Sequence, residues 1–327
     1  MTKALVESTD RIQYFDGVKL FAMFLVLYGH CIQYLITKDV YHNEIWLFIY
    51  SFHMPLFMIV AGFFSRRSLS LSFNEFFVKK FKQLLLPCVI WELVIIITRY
   101  AIDGAVEWSV VIKNDLWFLK SLFLCFLAVW PAFHFKKKFL VVSWIIITLL
   151  FSQIVYNFRI IDMYPCFVLG IGLRYVWSTL SNKSLTTIAV LCLALYIFFS
   201  LLYLTPDYYV YPSLRNEPIG YAMKSFSHFA MGGGISIFIM FLFKGLQSFL
   251  PDIICIIGKK TLGIYLCQSV ILETLIPNWL SLKGTNPFIA YGFFVPMVCI
   301  TVLIVSLFLI NLIEKKRVLR TLFLGKE

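Results

Sequence analysis

Two imidazoles stand where a chain this apolar would otherwise carry none. His30 lies in GVKLFAMFLVLYGHCIQYL, residues 17–35, and His53 in FHMPLFMIVAGFF, residues 52–64. Burying an imidazole away from water costs free energy, so each ring must face protein, a cavity or a partner. Ionisable groups in such positions mark substrate paths or proton relays. For His53 taken alone, a helix-to-helix hydrogen bond is the competing reading. A second chemistry lies further along. Arg66 and Arg67 in SRRS, with Lys79, Lys80 and Lys82 in VKKFKQLLLP, are cations suited to holding phosphates by charge-assisted hydrogen bonds. Positive-inside topology alone would also put basic residues there.

The elements that must position these groups are membrane helices. The chain is 61% hydrophobic and 14% charged, with a mean hydropathy of +0.86, whereas ordinary globular domains have about 45–50% apolar and about 25% charged residues. A crossing helix needs roughly 17–25 apolar residues. About ten segments offer this, the third and sixth of them short: 17–36, 45–64, 84–99, 116–133, 139–156, 160–177, 185–204, 227–243, 261–277 and 288–312. FLPDIICIIG, before Lys259, reads as an interfacial or re-entrant piece. The expected fold is therefore all-α, a polytopic membrane helix bundle of about ten transmembrane helices, with a single domain over residues 1–327.

The formal charge of +12 falls in short clusters between apolar runs, so it reads as orientation and not as nucleic-acid binding. An even number of spans with both termini cytoplasmic puts 21 of the 29 lysines and arginines inside. The first span has no small-residue cleavage site and is not expected to be a removable signal. The eight cysteines lie in or beside apolar runs with no C-x-x-C spacing and read as small buried hydrophobes, so no metal is expected. No nucleotide-binding loop is evident, and MGGGIS at 231–236 reads as close helix packing.

With the topology set, depth follows from the helical rise. His30 lies roughly 20 Å along the first span from inside, and His53 roughly 12 Å along the second from outside. Two antiparallel helices thus bring both rings to similar depth, and a shared polar cavity is expected. Asp115, Trp117, Lys120, Arg159, Asp162 and His228 lie near the same outer ends. Lys120 has an alternative in snorkelling outward. Asp16 is 14 residues from His30, about 21 Å along one helix, so it cannot pair with that ring. With Arg11 and Lys19 it belongs at the cytoplasmic mouth. Glu92 and Glu273 are the remaining buried carboxylates, best read as structural partners of polar groups.

In this order, RIQYFDGVKLFAMFLVLYGH (11–30), FHMPLFMIVAGFF (52–64), VKKFKQLLLPCVIW (78–91), LWFLKSLF (116–123), YPCFVLGIGLR (164–174) and IGKKTLGIYLCQ (257–268) resemble the successive signatures of the acyltransferase 3 family. The family consists of integral membrane acyltransferases, many of which O-acetylate cell-surface polysaccharides. The resemblance covers nearly the whole chain. It implies that His30 is the first-helix histidine essential to acyl transfer and His53 the histidine of the H-x-P-L-F segment. Arg66 and Arg67 stand where the family places cytoplasmic arginines associated with the acyl-CoA donor, and Lys79, Lys80 and Lys82 match the basic run before L-x-P. The arginines here are adjacent, where some members have R-x-R. Gln268 occupies a position where many members have histidine, and no SGNH-type domain is expected to follow.

The expectation is therefore an O-acyltransferase of the cell inner (plasma) membrane, surrounded by membrane lipids. It would take acetyl from cytoplasmic acetyl-CoA, or another acyl-CoA, to a hydroxyl of a surface polysaccharide or its lipid-linked precursor. His30 and His53 are the expected catalytic residues, and His30 suits either a general base, near the unperturbed imidazole pKa of about 6.5, or a transient acyl-histidine. Arg66, Arg67, Lys79, Lys80 and Lys82 are expected on the donor, with Asp16, Trp117 and Lys120 along the substrate passage. The alternative is a secondary transporter or flippase, whose buried His, Lys and Glu would form a relay and whose sign would be an inverted repeat. No such repeat is evident in the sequence.

Overall fold

The computed structural model describes residues 12–37, 39–153, 159–212 and 214–326. Arg11 and positions 154–156 of the fifth segment lie outside these. The structure is 81% helical without strands among the described residues, so the all-α class holds. The first span is α1, Tyr14–Cys31, prolonged by a π turn over Ile32–Ile36. The second divides into α2, Glu44–Tyr50, and α3, His53–Phe63. The short α4, Arg66–Leu69, leads to α5, Phe73–Lys80, which runs through a π turn into α6, Leu86–Asp103. Next come α7, Trp108–Asn114; α8, Trp117–Val129; α9, Lys138–Ser152; α10, Ile160–Val176; α11, Asn182–Tyr203; and α12, Pro218–Gly245. The chain closes with α13, Asp252–Gly258; α14, Thr261–Val270; α15, Pro287–Ile289; α16, Val295–Glu314; and α17, Arg317–Leu324.

Each of the ten apolar segments falls on a helix. Six helical stretches among the described residues are long and apolar enough to cross a membrane, and the bent pair Asp252–Gly258 and Thr261–Asn278, meeting at 62°, makes a seventh if it is one span. The helices α8, α9 and α10 are shorter. The piece before Lys259 is α13, set at that bend.

Burial sorts the bundle into a centre and a rim. The stretch Glu44–Phe63 is 72% buried and α12 61%, whereas Lys183–Tyr203 is 22% buried. The rim turns Leu201, Ile97 and Phe308 outward, which suits lipid and would be costly in water. The central helices touch backbone to backbone. A Cβ on Gly62 would lie 2.1 Å from the Phe167 carbonyl oxygen, and one on Gly170 would lie 2.1 Å from that of Ile59, so α3 and α10 cross on reciprocal glycines. In the MGGGIS run, Gly232 meets Pro55 and Gly234 meets the Cys192 carbonyl, which seats α12 on α3 and α11.

Candidate functional site

His53 opens α3 because of the proline two residues beyond it. Pro55 has no N–H to give to the Ser51 carbonyl, so the helix breaks at Ser51–Phe52. The imidazole turns back instead, and Nδ1 donates to the Ile49 carbonyl at 2.8 Å. That fixes the tautomer and leaves Nε2 as an acceptor. The ring is 2% exposed, its centroid lies 4.6 Å from that of Tyr50, and the Tyr50 centroid lies 6.4 Å from that of His30.

His30 ends α1 just before the π turn. Its Nδ1 lies 2.9 Å from Gln268 Oε1 and 3.0 Å from Glu273 Oε1. Both oxygens are acceptors, so Nδ1 carries the hydrogen and Nε2 keeps its lone pair. Gln268 Nε2 in turn donates to Glu273 Oε1 at 3.0 Å, and the Tyr34 hydroxyl donates to Glu273 Oε2 at 3.3 Å. Gln268 and Glu273 are five residues apart, a separation that points to different faces of an α-helix but closes one turn of a π-helix. The π turn Ile271–Leu275 begins just after α14 and brings them together. A second π turn, Ile32–Ile36, carries Tyr34. The pairing of Glu273 thus depends on helix irregularities, which no 3.6-residue pattern would reveal.

His30, His53 and Glu273 line one polar cavity of about 470 Å³, within the range of about 300–1,000 Å³ usual for ligand sites. Trp117, Asp115, Arg159 and Asp162 line its other walls. Asp115 is held by Arg99 at 2.9 Å, and burial pushes its carboxyl up to about 6 against that pull. Arg159 packs over the Tyr209 ring at 4.3 Å and reaches Asp162 at 3.3 Å. Tyr211 donates to Asp162 at 2.5 Å, and His228 stands behind Tyr211 at 3.0 Å, off the cavity wall. Tyr209 and Tyr211 lie in the loop before α12, where sequence periodicity gives no sign of them.

A second cavity, about 350 Å³ and mainly apolar, adjoins the first. Met54 and Tyr265 line both. Its walls include Phe57, Phe64, Leu84 and Phe118, with Lys19 at its edge. Lys19 is drawn to Asp16 at 2.7 Å, so Asp16 is a buried anchor for a lining residue and not itself part of the wall. The exposed Arg66 and Arg67 follow Phe64 by two and three residues, and the exposed Lys82 precedes Leu84 by two.

Two residues sit differently from their expected places. Lys80 is 8% exposed and lies 3.8 Å over the Phe126 ring, with Gln83 at 3.4 Å. Helix phase separates it from the half-buried Lys79 and the exposed Lys82, which are three apart. Lys120 does not line either cavity. It pairs with Glu92 and caps the Ile112 and Asp115 carbonyls, which fixes the chain between α7 and α8. That pairing, and not snorkelling, holds its charge inside the bundle. The cysteines are buried or half-buried thiols; Cys31 and Cys299 come closest among those in contact, at 3.7 Å between sulfurs, without a bond.

These features define a polytopic all-α membrane protein in which a histidine–carboxylate pair occupies a polar cavity joined to an apolar one. Residues 12–310 match the acyltransferase domain of the acyltransferase 3 family, and the chain belongs to that family. It is 32% identical over 129 residues to nodulation protein NolL of Mesorhizobium japonicum, covering 35% of this chain and 34% of that protein. To nodulation protein NolL of Sinorhizobium fredii it is 30% identical over 173 residues, covering 48% and 47%. The chain therefore spans less than half the length of either relative. No solved structure matches it.

Proposed function

We propose that this protein is a membrane O-acyltransferase that carries acetyl from cytoplasmic acetyl-CoA to a hydroxyl of a surface glycan or its lipid-linked precursor. The observation that carries this reading is the His30 tautomer. With Nδ1–H committed to Gln268 and Glu273, Nε2 is a base, and the carboxylate stabilises the imidazolium that forms when it takes a proton. Family membership and the nodulation relatives support acyl transfer as the reaction class.

The two cavities fit a donor and an acceptor arriving from opposite sides. The apolar one suits the uncharged arm of an acyl-CoA. Arg66, Arg67 and Lys82, just outside it in the chain, suit its phosphates. In the polar cavity, Trp117 and Tyr209 offer ring faces and Arg159 and Asp162 offer polar groups, a mixture suited to a sugar. His30 removes the proton of the acceptor hydroxyl as its oxygen attacks the thioester carbonyl. The C–S bond then breaks, and the imidazolium returns the proton to the departing thiolate. Orientation follows: the basic end faces the cytoplasm and the polar cavity the opposite side.

The test uses everted membrane vesicles that contain the protein and their own glycan, supplied with acetyl-labelled acetyl-CoA. Alkali-labile label in the glycan, dependent on the intact gene, is expected. Acetyl-CoA left unconsumed, with glycan export lost on deletion of the gene, would contradict the reading and favour a flippase.

A further inference from the structure

Tyr265 stands where the two cavities meet, and it borders both. It is three residues before Gln268 on α14, a spacing that puts the two side chains on one helix face, and Gln268 is the residue that holds His30. Tyr265 and His30 therefore line one cavity from different helices.

The hydroxyls of this region differ in how their hydrogens are used. Tyr34 donates to Glu273, Tyr50 to Gln33 at 3.0 Å, Tyr209 to the Tyr50 carbonyl at 2.8 Å and Tyr211 to Asp162. Tyr265 instead donates to none of the described residues, and its ring meets Phe118 edge-on with centroids 5.9 Å apart. A phenol on the cavity wall that gives its hydrogen to no acceptor among these residues keeps that hydrogen for a ligand in the cavity. His53 cannot do the same work, because its Nδ1–H is spent on Ile49 and its other nitrogen only accepts.

We infer that Tyr265 is a further catalytic residue, donating its hydroxyl hydrogen to the acyl carbonyl oxygen as the acceptor attacks. This rests on the acyl-transfer reading and places the reacting carbon at the neck between the cavities. As the C–O bond forms, the carbonyl electron pair moves onto oxygen and Tyr265 stabilises the charge. When the C–S bond breaks, the pair returns and the hydrogen bond weakens. Such a donor acts on the transition state more than on the bound thioester.

The experiment is the titration of acetyl-CoA against everted vesicles bearing the wild type or Tyr265→Phe, which preserves the ring and its packing against Phe118. Turnover is expected to fall about 10²-fold, with an unchanged apparent KM and unchanged abundance on immunoblots. 3-Fluorotyrosine at position 265, which restores an O–H donor, is expected to recover turnover. Wild-type turnover in Tyr265→Phe, or a raised KM with turnover intact, would overturn the role of Tyr265 and leave acyl transfer standing. No recovery with 3-fluorotyrosine would also overturn it. Wild-type vesicles that never transfer label from acetyl-CoA would overturn both.

Discussion

The polar cavity and the basic end of the bundle are both rich in ionisable groups, yet they are built on opposite principles. In the cavity nearly every such group is committed to another: His30 to Glu273, Arg99 to Asp115, Arg159 to Asp162. At the basic end Arg66 and Arg67 stand exposed and Lys79 half-buried on short helices, with no carboxylate within ion-pair reach among the described residues. Preorganised pairs with defined tautomers suit chemistry, where donors and acceptors must be in place before the transition state. Exposed flexible cations suit capture of a charged ligand that brings its own counter-charges. The difference teaches that mutations in the first region should change turnover, and those in the second should change donor binding.

The sharpest break of that contrast is His30→Ala. It is expected to lower acyl transfer by about 10²–10⁴-fold, the usual range for loss of a general base, with protein abundance maintained on immunoblots of membranes. Normal transfer by a well-expressed variant would remove His30 from the chemistry.

Lys120→Met is next and separates support from site. It leaves Glu92 buried without its cation, which costs about 3–5 kcal/mol for a buried pair broken on one side. Abundance and melting temperature in detergent should fall, while activity per folded molecule stays close to the wild type. The reverse pattern would return Lys120 to the substrate passage.

The smallest effect belongs to Arg66→Ala with Arg67→Ala. Exposed charge contacts contribute about 0.2–1 kcal/mol each, so the pair should raise the apparent KM for acetyl-CoA by roughly 2- to 30-fold without changing kcat. A fall in kcat with constant KM would break the distinction between the two regions.

How much of this was legible in the sequence depended on regular geometry. Counting residues at the helical rise brought His30 and His53 to one depth, and both line one cavity. The same counting kept Asp16 from His30, and Asp16 lies instead beside Lys19. Glycine spacing marked the close crossings of α12. The partner of His30 was not legible, because Glu273 reaches Gln268 only through a π turn. Lys80 read as one of a basic run, yet its position on the helix turns it onto Phe126. Lys120 read as a passage residue or a snorkelling cation because its carboxylate comes from a different span. The aromatic wall at Tyr209 and Tyr211 is made by loop closure, which leaves no periodic trace.

The central claim is that His30 and Glu273 act as one unit, and a double-mutant cycle on turnover tests it most directly. Transfer rates would be measured for His30→Ala, Glu273→Gln and the double variant in vesicles of matched abundance. Since a carboxylate that works only through the imidazole has nothing to orient once the ring is gone, the double variant should be no slower than His30→Ala alone. Losses that multiply in the double variant would mean that the two residues act independently, and would contradict the account.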